Sequence, residues 1–258
     1  MQSQPRRLWR SFDELLGRGR APLSSDVDAD TLHRYFDDKV ASIRASTDGA
    51  DSPTFKPAPV GCELQLFTPV SLAEVTEMAR RLPDKQCTSN PLPTWLLKQS
   101  VKVLAPFLCR VFNWSLENGI VTSIFKSAYI TPLVPLLKKA DLDPAEPKSF
   151  RPICNLSVIS KLLERLVSKQ LQRYLKDNDL LPDLQSAYRA HCSTETAILR
   201  VLSAILSVLD SRSLVMLTLL DLSAAFDCVD HHTLLQRLRT SYGLGEKVIN
   251  WFTSYLSG

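Results

Sequence analysis

The chain has 258 residues, of which 45% are hydrophobic and 22% are charged. These fractions are ordinary for a globular protein, and the length suffices for one or two domains with a sizeable core. The net charge of +4 is small, so charge alone gives little support for nucleic-acid binding. We find neither a signal peptide nor an apolar stretch of ~20 residues that would span a membrane, and we expect an intracellular protein, nuclear or cytoplasmic.

Residues 1–60 are polar, and within them apolar side chains recur at helical spacing between Leu32 and Ile43. This pattern predicts one amphipathic helix. We therefore interpret residues 1–60 as a linker that is partly disordered and contains one helix.

The next elements are predicted to be mainly helical. Ser71 followed by Glu74 is a capping-box pattern that predicts a helix to about residue 81. Residues 95–116 are apolar at helical spacing and end before Gly119, a good residue for a helix C-terminus. Pro106 is expected to split this stretch into two helices.

Further along the chain, one strand is predicted, followed by two helices. The pattern of residues 129–137 predicts a strand. Because this segment contains prolines, the strand is expected at the edge of a sheet. Wide apolar faces predict helices over residues 159–175 and 197–209. The last predicted helices cover residues 232–238 and 248–256.

The most informative pattern is an apolar run over residues 215–220 that ends at Asp221, with Phe226 and Asp227 shortly after it. The run predicts a buried strand. A carboxylate at the end of a strand can hold a hard cation, as two-metal phosphoryl-transfer enzymes require. The alternative is an aspartate that opens a turn or caps the next helix.

Four segments together resemble the reverse transcriptases of non-long-terminal-repeat (LINE-type) retrotransposons. Residues 219–231 resemble the first palm motif of that family. Residues 150–156 contain its Arg-Pro-Ile fingers motif. Residues 185–197 resemble its next signature, and residues 250–256 are also typical. The four occur in the family order.

The resemblance implies an RNA-directed DNA polymerase that uses an RNA template, a DNA primer and deoxynucleotides. Asp221 matches the catalytic, metal-binding aspartate, and the carbonyl of Leu222 is expected to add a ligand. The implied cofactor is Mg²⁺, two ions in the full-length enzyme, because metal ions stabilise the charge that develops during phosphoryl transfer.

The resemblance also implies nucleotide-binding residues. Phe226 matches the "steric gate" ring that excludes a 2′ hydroxyl; the alternative is a core aromatic. Arg151 matches the fingers arginine that contacts the triphosphate, since guanidinium offers a fixed fork of donors to phosphate. Lys138 and Lys139 are candidates for the accompanying lysine, and the alternative for either is a solvated charge at a strand end.

Template contacts are expected from Arg189, Ser193 and Thr194, although the two hydroxyl residues are equally typical of a helix cap. The chain departs from the family at residues 190–192, where Ala-His-Cys replaces the usual Pro-Gly-His. Loss of the glycine and proline changes the dihedral angles open to this turn.

No Asp-Asp pair follows Asp221 in the sequence, although the family's next palm motif contains one. We therefore expect a truncated, inactive retrotransposon copy without a thumb. The predicted fold is α+β, mainly helical with short antiparallel strands: fingers-like residues 61–212, then the start of a palm over 213–258, an incomplete right-hand polymerase fold. The rival hypothesis is a non-enzymatic fragment that binds nucleic acid or protein. The sequence leaves the oligomeric state open.

Overall fold

A computed structural model describes residues 27–47, 49–84, 92–133, 143, 145–222, 225–226 and 228–257. The chain divides into two compact units, which are described separately. The smaller unit comprises residues 1–50 and 128–155, and the larger unit comprises residues 51–127 and 156–258.

The smaller unit contains helix α1 (Ala29–Ser46) and a two-stranded sheet of β1 (Ala128–Leu133) and β2 (Arg151–Leu156), whose last residue belongs to the larger unit. α1 begins at Asp28, whose carboxylate accepts a 2.7 Å hydrogen bond from the backbone N–H of Thr31. α1 also contacts the short 3₁₀ helix Pro147–Ser149. The predicted helix and the predicted strand after residue 128 are thus confirmed over these bounds, and residues 134–137 of that strand lie outside the described residues.

The described part of the larger unit is helical. Its helices are α2 (Leu72–Arg80), α3 (Thr94–Gln99), α4 (Val101–Asn118), α5 (Ser123–Lys126), α6 (Val158–Asp177), α7 (Thr194–Asp210), α8 (His231–Tyr242) and α9 (Glu246–Leu256). The mainly helical, α+β character that the sequence predicts is therefore observed. None of the helices among the described residues is both long and apolar enough to cross a bilayer.

Helix ends follow the sequence signals in two cases and depart from them in a third. Ser71 and Glu74 form the predicted capping box, and Gly119 ends α4 with a φ of 66°. The predicted break at Pro106 is wrong, because the helical stretch is interrupted at Ser100 and α4 continues through the proline. Ala105 and Leu108 on either side of it are buried, so packing offsets the backbone hydrogen bond that proline cannot donate.

The core of the larger unit forms where α2, α4, α6 and α9 meet. Phe112 of α4, Leu162 of α6 and Val248 of α9 are fully buried, and Trp251 is 2% exposed. The indole N–H of Trp251 donates a 3.1 Å hydrogen bond to the hydroxyl of Ser115, so its polar atom is satisfied inside the core. This packing places one face of α6 in the core, together with α2, α4 and α9.

The turn between α8 and α9 is closed by the preceding chain segment. The backbone of Leu64 donates to the carbonyl of Gly243 at 3.0 Å and accepts from the N–H of Gly245 at 2.9 Å. Gly243 has a φ of 64°, and a Cβ there would lie 2.0 Å from the carbonyl oxygen of Cys62. Only glycine fits such a close backbone approach.

The strand predicted over residues 215–220 is wrong. Residues 213–222 have no regular secondary structure, and every one of them is exposed. Leu217 is 56% exposed and Leu219 84%. A strand requires hydrogen bonds to a neighbouring strand, and none of the described strands pairs with this segment. The apolar run alone therefore does not fold as predicted here.

Candidate functional site

The predicted nucleotide-binding cations belong to the smaller unit. Arg151 is the first residue of β2, and its side chain is exposed. Its position follows the 3₁₀ helix and Phe150, which is 7% exposed and fixes the start of the strand. Lys138 and Lys139 lie outside the described residues. The other predicted site residues belong to the larger unit.

Asp221 and Leu222 lie at the end of the irregular segment and are both exposed. The sequence predicted Asp221 at the end of a buried strand, and this prediction is wrong. Among the described residues, no group of three or more His, Cys, Asp or Glu side chains is placed to hold a metal ion. One exposed carboxylate does not by itself make the two-metal site that nucleotidyl transfer requires.

Phe226 is brought together with the signature at residues 185–189. Its ring lies edge-on to the ring of Tyr188, with 6.2 Å between the ring centroids and an interplanar angle of 84°. The rings are 75% and 81% exposed, so the alternative of a core aromatic does not hold for Phe226. The contact joins two of the four sequence signatures at one exposed position.

Arg189 forms a hydrogen bond within the loop that precedes α7. Its guanidinium donates a 3.1 Å hydrogen bond from Nη2 to the carbonyl of Leu181. Farther along, Arg200 of α7 donates to the carbonyl of Asp183 at 3.1 Å. These two bonds hold the loop closed between α6 and α7, and a guanidinium keeps further donors beyond one such bond.

Residues 190–192 reveal what replaces the missing glycine. His191, at the position where the family has glycine, adopts a φ of 62°. For a residue with a Cβ this left-handed conformation costs roughly 1–2 kcal/mol. The turn therefore keeps a conformation that favours glycine although the glycine itself is gone.

Ser193 is the N-cap of α7. Its hydroxyl accepts a 3.3 Å hydrogen bond from the backbone N–H of Thr196, and the Thr196 hydroxyl accepts one of 2.9 Å from the N–H of Ser193. Thr194 is the first, exposed residue of the helix. The helix-cap alternative thus accounts for Ser193, and the template role of both residues stays a prediction.

Sequence reasoning missed a row of basic residues along the exposed side of α6. Arg165, Lys169, Arg173 and Lys176 recur at a spacing of three or four residues, which places them on one helix face. We call them the α6 basic row. They line a groove together with Tyr188, Arg189 and His191. The spacing of these basic residues is a signal that is present in the sequence itself.

The Lys169 side chain of this row is linked to the start of α2. Its Nζ lies 3.1 Å from Glu74 Oε1. The backbone N–H of Ser71, and after it Lys169, lower the pKa of Glu74 below its ordinary value of 4.5, because both favour the charged carboxylate. The capping box and the basic row are therefore electrostatically connected.

Comparison with known proteins agrees with the motifs. The profile of a family described as "Reverse transcriptase (RNA-dependent DNA polymerase)" matches residues 137–257. A probable RNA-directed DNA polymerase from transposon BS of Drosophila melanogaster is 28% identical over 173 residues, 66% of this chain and 18% of the relative. The corresponding enzyme from mobile element jockey of the same fly is 27% identical over 174 residues, again 66% and 18%.

A third relative, a probable RNA-directed DNA polymerase from transposon X-element of Drosophila melanogaster, is 28% identical over 197 residues, covering 76% of this chain. The chain spans about a fifth of the length of these curated relatives, from 18% to 21%. The resemblance that the four motifs carry is confirmed: residues 137–257 match the reverse-transcriptase profile, and the chain is similar to the RNA-directed DNA polymerases of Drosophila mobile elements.

Proposed function

We propose that the chain supplies the fingers, over residues 61–212, and the first palm motif, from residue 213, of an RNA-directed DNA polymerase. The enzyme would extend a DNA primer along an RNA template with deoxynucleotides. The observation that carries the proposal is the contact between Tyr188 and Phe226, 6.2 Å apart, because it brings two polymerase signatures to one place.

Phe226 acts on the sugar of the incoming nucleotide in this proposal. Phe226 is 75% exposed, so its ring is open to a ligand, and it forms a T-shaped pair with the ring of Tyr188. A ring supported in this way leaves no room for a 2′ hydroxyl. Tyr188 is then a positioning residue for the gate.

The triphosphate is held by Arg151, whose exposed guanidinium offers paired donors to phosphate oxygens. Lys138 or Lys139 supplies the accompanying charge. Arg189, Ser193 and Thr194 line the template path. Support for these roles comes from the match of residues 137–257 to the family profile.

Asp221 is proposed as one carboxylate ligand of Mg²⁺, with the carbonyl of Leu222 beside it. Reverse transcriptases generally use divalent ions, and Mg²⁺ suits carboxylate and carbonyl oxygens. The described residues present too few ligands around Asp221 to hold two ions. We therefore propose that the 258-residue chain does not catalyse nucleotidyl transfer by itself.

Primer extension tests the isolated chain directly. The purified protein is incubated with a primed RNA template, deoxynucleotides and Mg²⁺, and no extension is expected. Extension that disappears in the Asp221→Ala variant would contradict the proposal that the chain is inactive by itself.

A chimaera tests the polymerase role. Residues 137–257 replace the matched segment of the jockey enzyme, and primer extension is measured. We expect extension that Asp221→Asn abolishes and that Asp210→Asn, an exposed aspartate at the end of α7, leaves intact. Phe226→Ala should admit ribonucleotides. A folded chimaera without primer extension would contradict the proposal, and so would one whose extension is unchanged by Asp221→Asn.

A non-enzymatic nucleic-acid-binding role is the second candidate. The α6 basic row favours it, because a row of exposed cations at helical spacing is suited to a phosphate backbone. It predicts binding that is unaffected by Asp221→Asn, whereas the polymerase role predicts that the chimaera loses extension with that change.

A further inference from the structure

Helix α7 and the segment that follows it expose an apolar surface. Fourteen large apolar side chains between residues 198 and 222, a stretch that is described throughout, are exposed, from 38% at Val208 and Val215 to 99% at Leu214. None of the residues of α7 is buried. Large exposed apolar surfaces are rare on monomeric proteins, and they mark sites at which another molecule binds.

The surface contains a hollow of about 430 Å³ between α7 and the segment after it, wholly within the larger unit. Ile198 and Leu202 contribute to its wall on the helix side, and Leu217 and Leu219 contribute to its wall on the segment side. Apart from Thr194, the described side chains that line it are apolar. Such a lining disfavours a charged ligand and is suited to apolar side chains.

A regular row of residues runs along this side of α7. Its positions are separated alternately by three and four residues, which keeps them on one side of a helix and is the spacing of paired helices. We call this row the α7 seam; it consists of Glu195, Ile198, Leu202, Ile205, Leu209 and Arg212. Four apolar side chains therefore lie between an acidic residue at one end and a basic residue at the other.

The two charged ends of the α7 seam are exposed. Glu195 lies in the first turn of α7, and the Ser193 hydroxyl lowers its pKa, so its carboxylate is charged at neutral pH. Arg212 follows the cap residue Ser211, and its backbone N–H donates a 2.8 Å hydrogen bond to the carbonyl of Leu209, which attaches it to the last turn. Neither charged side chain forms an ion pair with another described residue.

We propose that α7 docks on α7 of a second copy of this chain, as an antiparallel pair with two-fold symmetry. A two-fold axis midway between Leu202 and Ile205 places Leu202 beside the partner's Ile205 and Glu195 beside the partner's Arg212. Each contact then occurs twice, as a closed symmetric dimer requires. In a parallel pair, like charges would meet at both ends of the seam, which is destabilising. The charge pattern therefore favours a second, antiparallel copy.

The size of the surface is suited to such a dimer. A specific interface takes roughly 20–30 residues from each partner, about the length of the stretch 194–222. The apolar face of the second helix covers the hollow beside Leu217 and Leu219, as amphipathic helices do in apolar grooves. The dimer dissociates on dilution by mass action. Association needs no nucleic acid, nucleotide or metal ion, so it is independent of the proposed polymerase function.

Sedimentation equilibrium over a range of protein concentrations measures the association. We expect a monomer–dimer equilibrium in which Ile198→Ser/Leu202→Ser raises the dissociation constant by about tenfold or more, because it removes apolar side chains from the interface in both copies. The control variant Val103→Ser/Phe107→Ser removes two side chains of α4 that are 69% and 68% exposed, and it should leave the constant unchanged. Circular dichroism checks that the variants are folded.

Charge reversal tests the antiparallel arrangement. Glu195→Arg and Arg212→Glu should each weaken the dimer by roughly tenfold, because symmetry doubles each repulsive contact. An equimolar mixture of the two variants should restore association, since both charge pairs are complementary in the mixed dimer. The control variants Asp210→Arg and Lys247→Glu change the net charge by the same amounts at exposed positions off the seam, and they should associate like the wild type.

Four results would overturn the proposal: a chain that stays monomeric up to about 100 µM, equal effects of the serine variant and its control, single charge reversals without effect, or a mixture that associates no better than its components. If the serine variant fails to fold, the mixture still decides, because it changes only exposed charges. Hydrogen exchange gives a second measurement. Exchange in α7 should be slower in the dimer than in the dilute monomer, whereas exchange in α6 should be the same.

Discussion

Helices α6 and α7 have similar length and comparable amphipathic patterns, yet their surroundings differ completely. α6 has 20 residues and buries seven of them, whereas α7 has 17 residues and buries none. The segment at residues 213–222, which follows α7, is exposed as well. An apolar face is thus sufficient to predict a helix, but burial requires a partner element.

The partners of α6 are visible in its contacts. It packs against α2 and α5, and the Tyr174 hydroxyl donates a 2.7 Å hydrogen bond to the carbonyl of Tyr242 in α8. The apolar side of α7 instead borders a hollow of about 430 Å³ that Leu217 and Leu219 help to line. This hollow is apolar and open, so the leucines around it contribute little to stability.

The largest expected difference is between two leucine-to-alanine substitutions. Leu166→Ala in α6, where the side chain is 2% exposed, should lower the free energy of unfolding by about 2–5 kcal/mol. Leu202→Ala in α7, where it is 45% exposed, should lower it by less than about 1 kcal/mol. Urea denaturation followed by circular dichroism measures both, and equal losses would contradict the contrast.

The sequence predicts helices better than it predicts what they pack against. Ser71, Gly119 and Ser193 mark helix ends by local chemistry, and all three act as predicted or as the stated alternative. The irregular segment before Asp221 was predicted wrongly, because an apolar run becomes a strand only when another strand pairs with it. The exposure of Asp221 follows from the same missing pairing.

The motifs name candidate site residues, whereas the contacts between distant motifs depend on the fold. The contact of Tyr188 with Phe226 joins residues 38 positions apart in the printed sequence and cannot be read from either motif. The spacing of the basic residues on α6 can be read from the sequence. The position of the loop with His191, which lines the same groove, depends on backbone conformation.

A glycine substitution tests how rigid the packed turn between α8 and α9 is. Gly243→Ala places a Cβ 2.0 Å from the Cys62 carbonyl oxygen at a φ of 64° and should cost roughly 2–4 kcal/mol of stability. Gly61→Ala, at a φ of 86° with no atom within 4 Å, should cost only about 1–2 kcal/mol. Thermal and urea unfolding compare them; equal losses would mean that the turn between α8 and α9 yields easily.

Acid unfolding should respond to Glu74 but not to Glu195. The pKa of Glu74 is lowered by the Ser71 backbone N–H and then by Lys169, so its stabilising effect is present above pH 4.5 and lost as the pH falls through its folded pKa. The pKa of Glu195 is lowered chiefly by the Ser193 hydroxyl, but Glu195 lies on the unburied α7. In the Glu74→Gln variant, the free energy of unfolding should therefore change less with pH below 4.5 than in the wild type.

The matched variant Glu195→Gln should leave the acid-unfolding curve of the core unchanged. Urea midpoints measured between pH 3 and pH 7 are suitable for both variants, roughly spanning the range over which carboxylates titrate. A larger change in Glu195→Gln than in Glu74→Gln would show that α7 unfolds together with the core, contrary to the burial pattern.

The smallest expected effect is a gain in stability. His191→Gly relieves a φ of 62° and should stabilise the loop by at most about 1 kcal/mol. Ala190→Gly, which relieves no positive φ, should be neutral or slightly destabilising. Protease sensitivity of the loop and thermal unfolding report the difference, and a destabilised His191→Gly would mean that the imidazole holds the turn.

Hydrogen exchange of the monomeric chain, read by mass spectrometry, tests the contrast between α6 and α7 most directly. We expect slow exchange at the level of global unfolding in α6, exchange faster by orders of magnitude in α7, and almost no protection over residues 213–222. Protection of α7 and residues 213–222 equal to that of α6, in a sample shown to be monomeric, would contradict it.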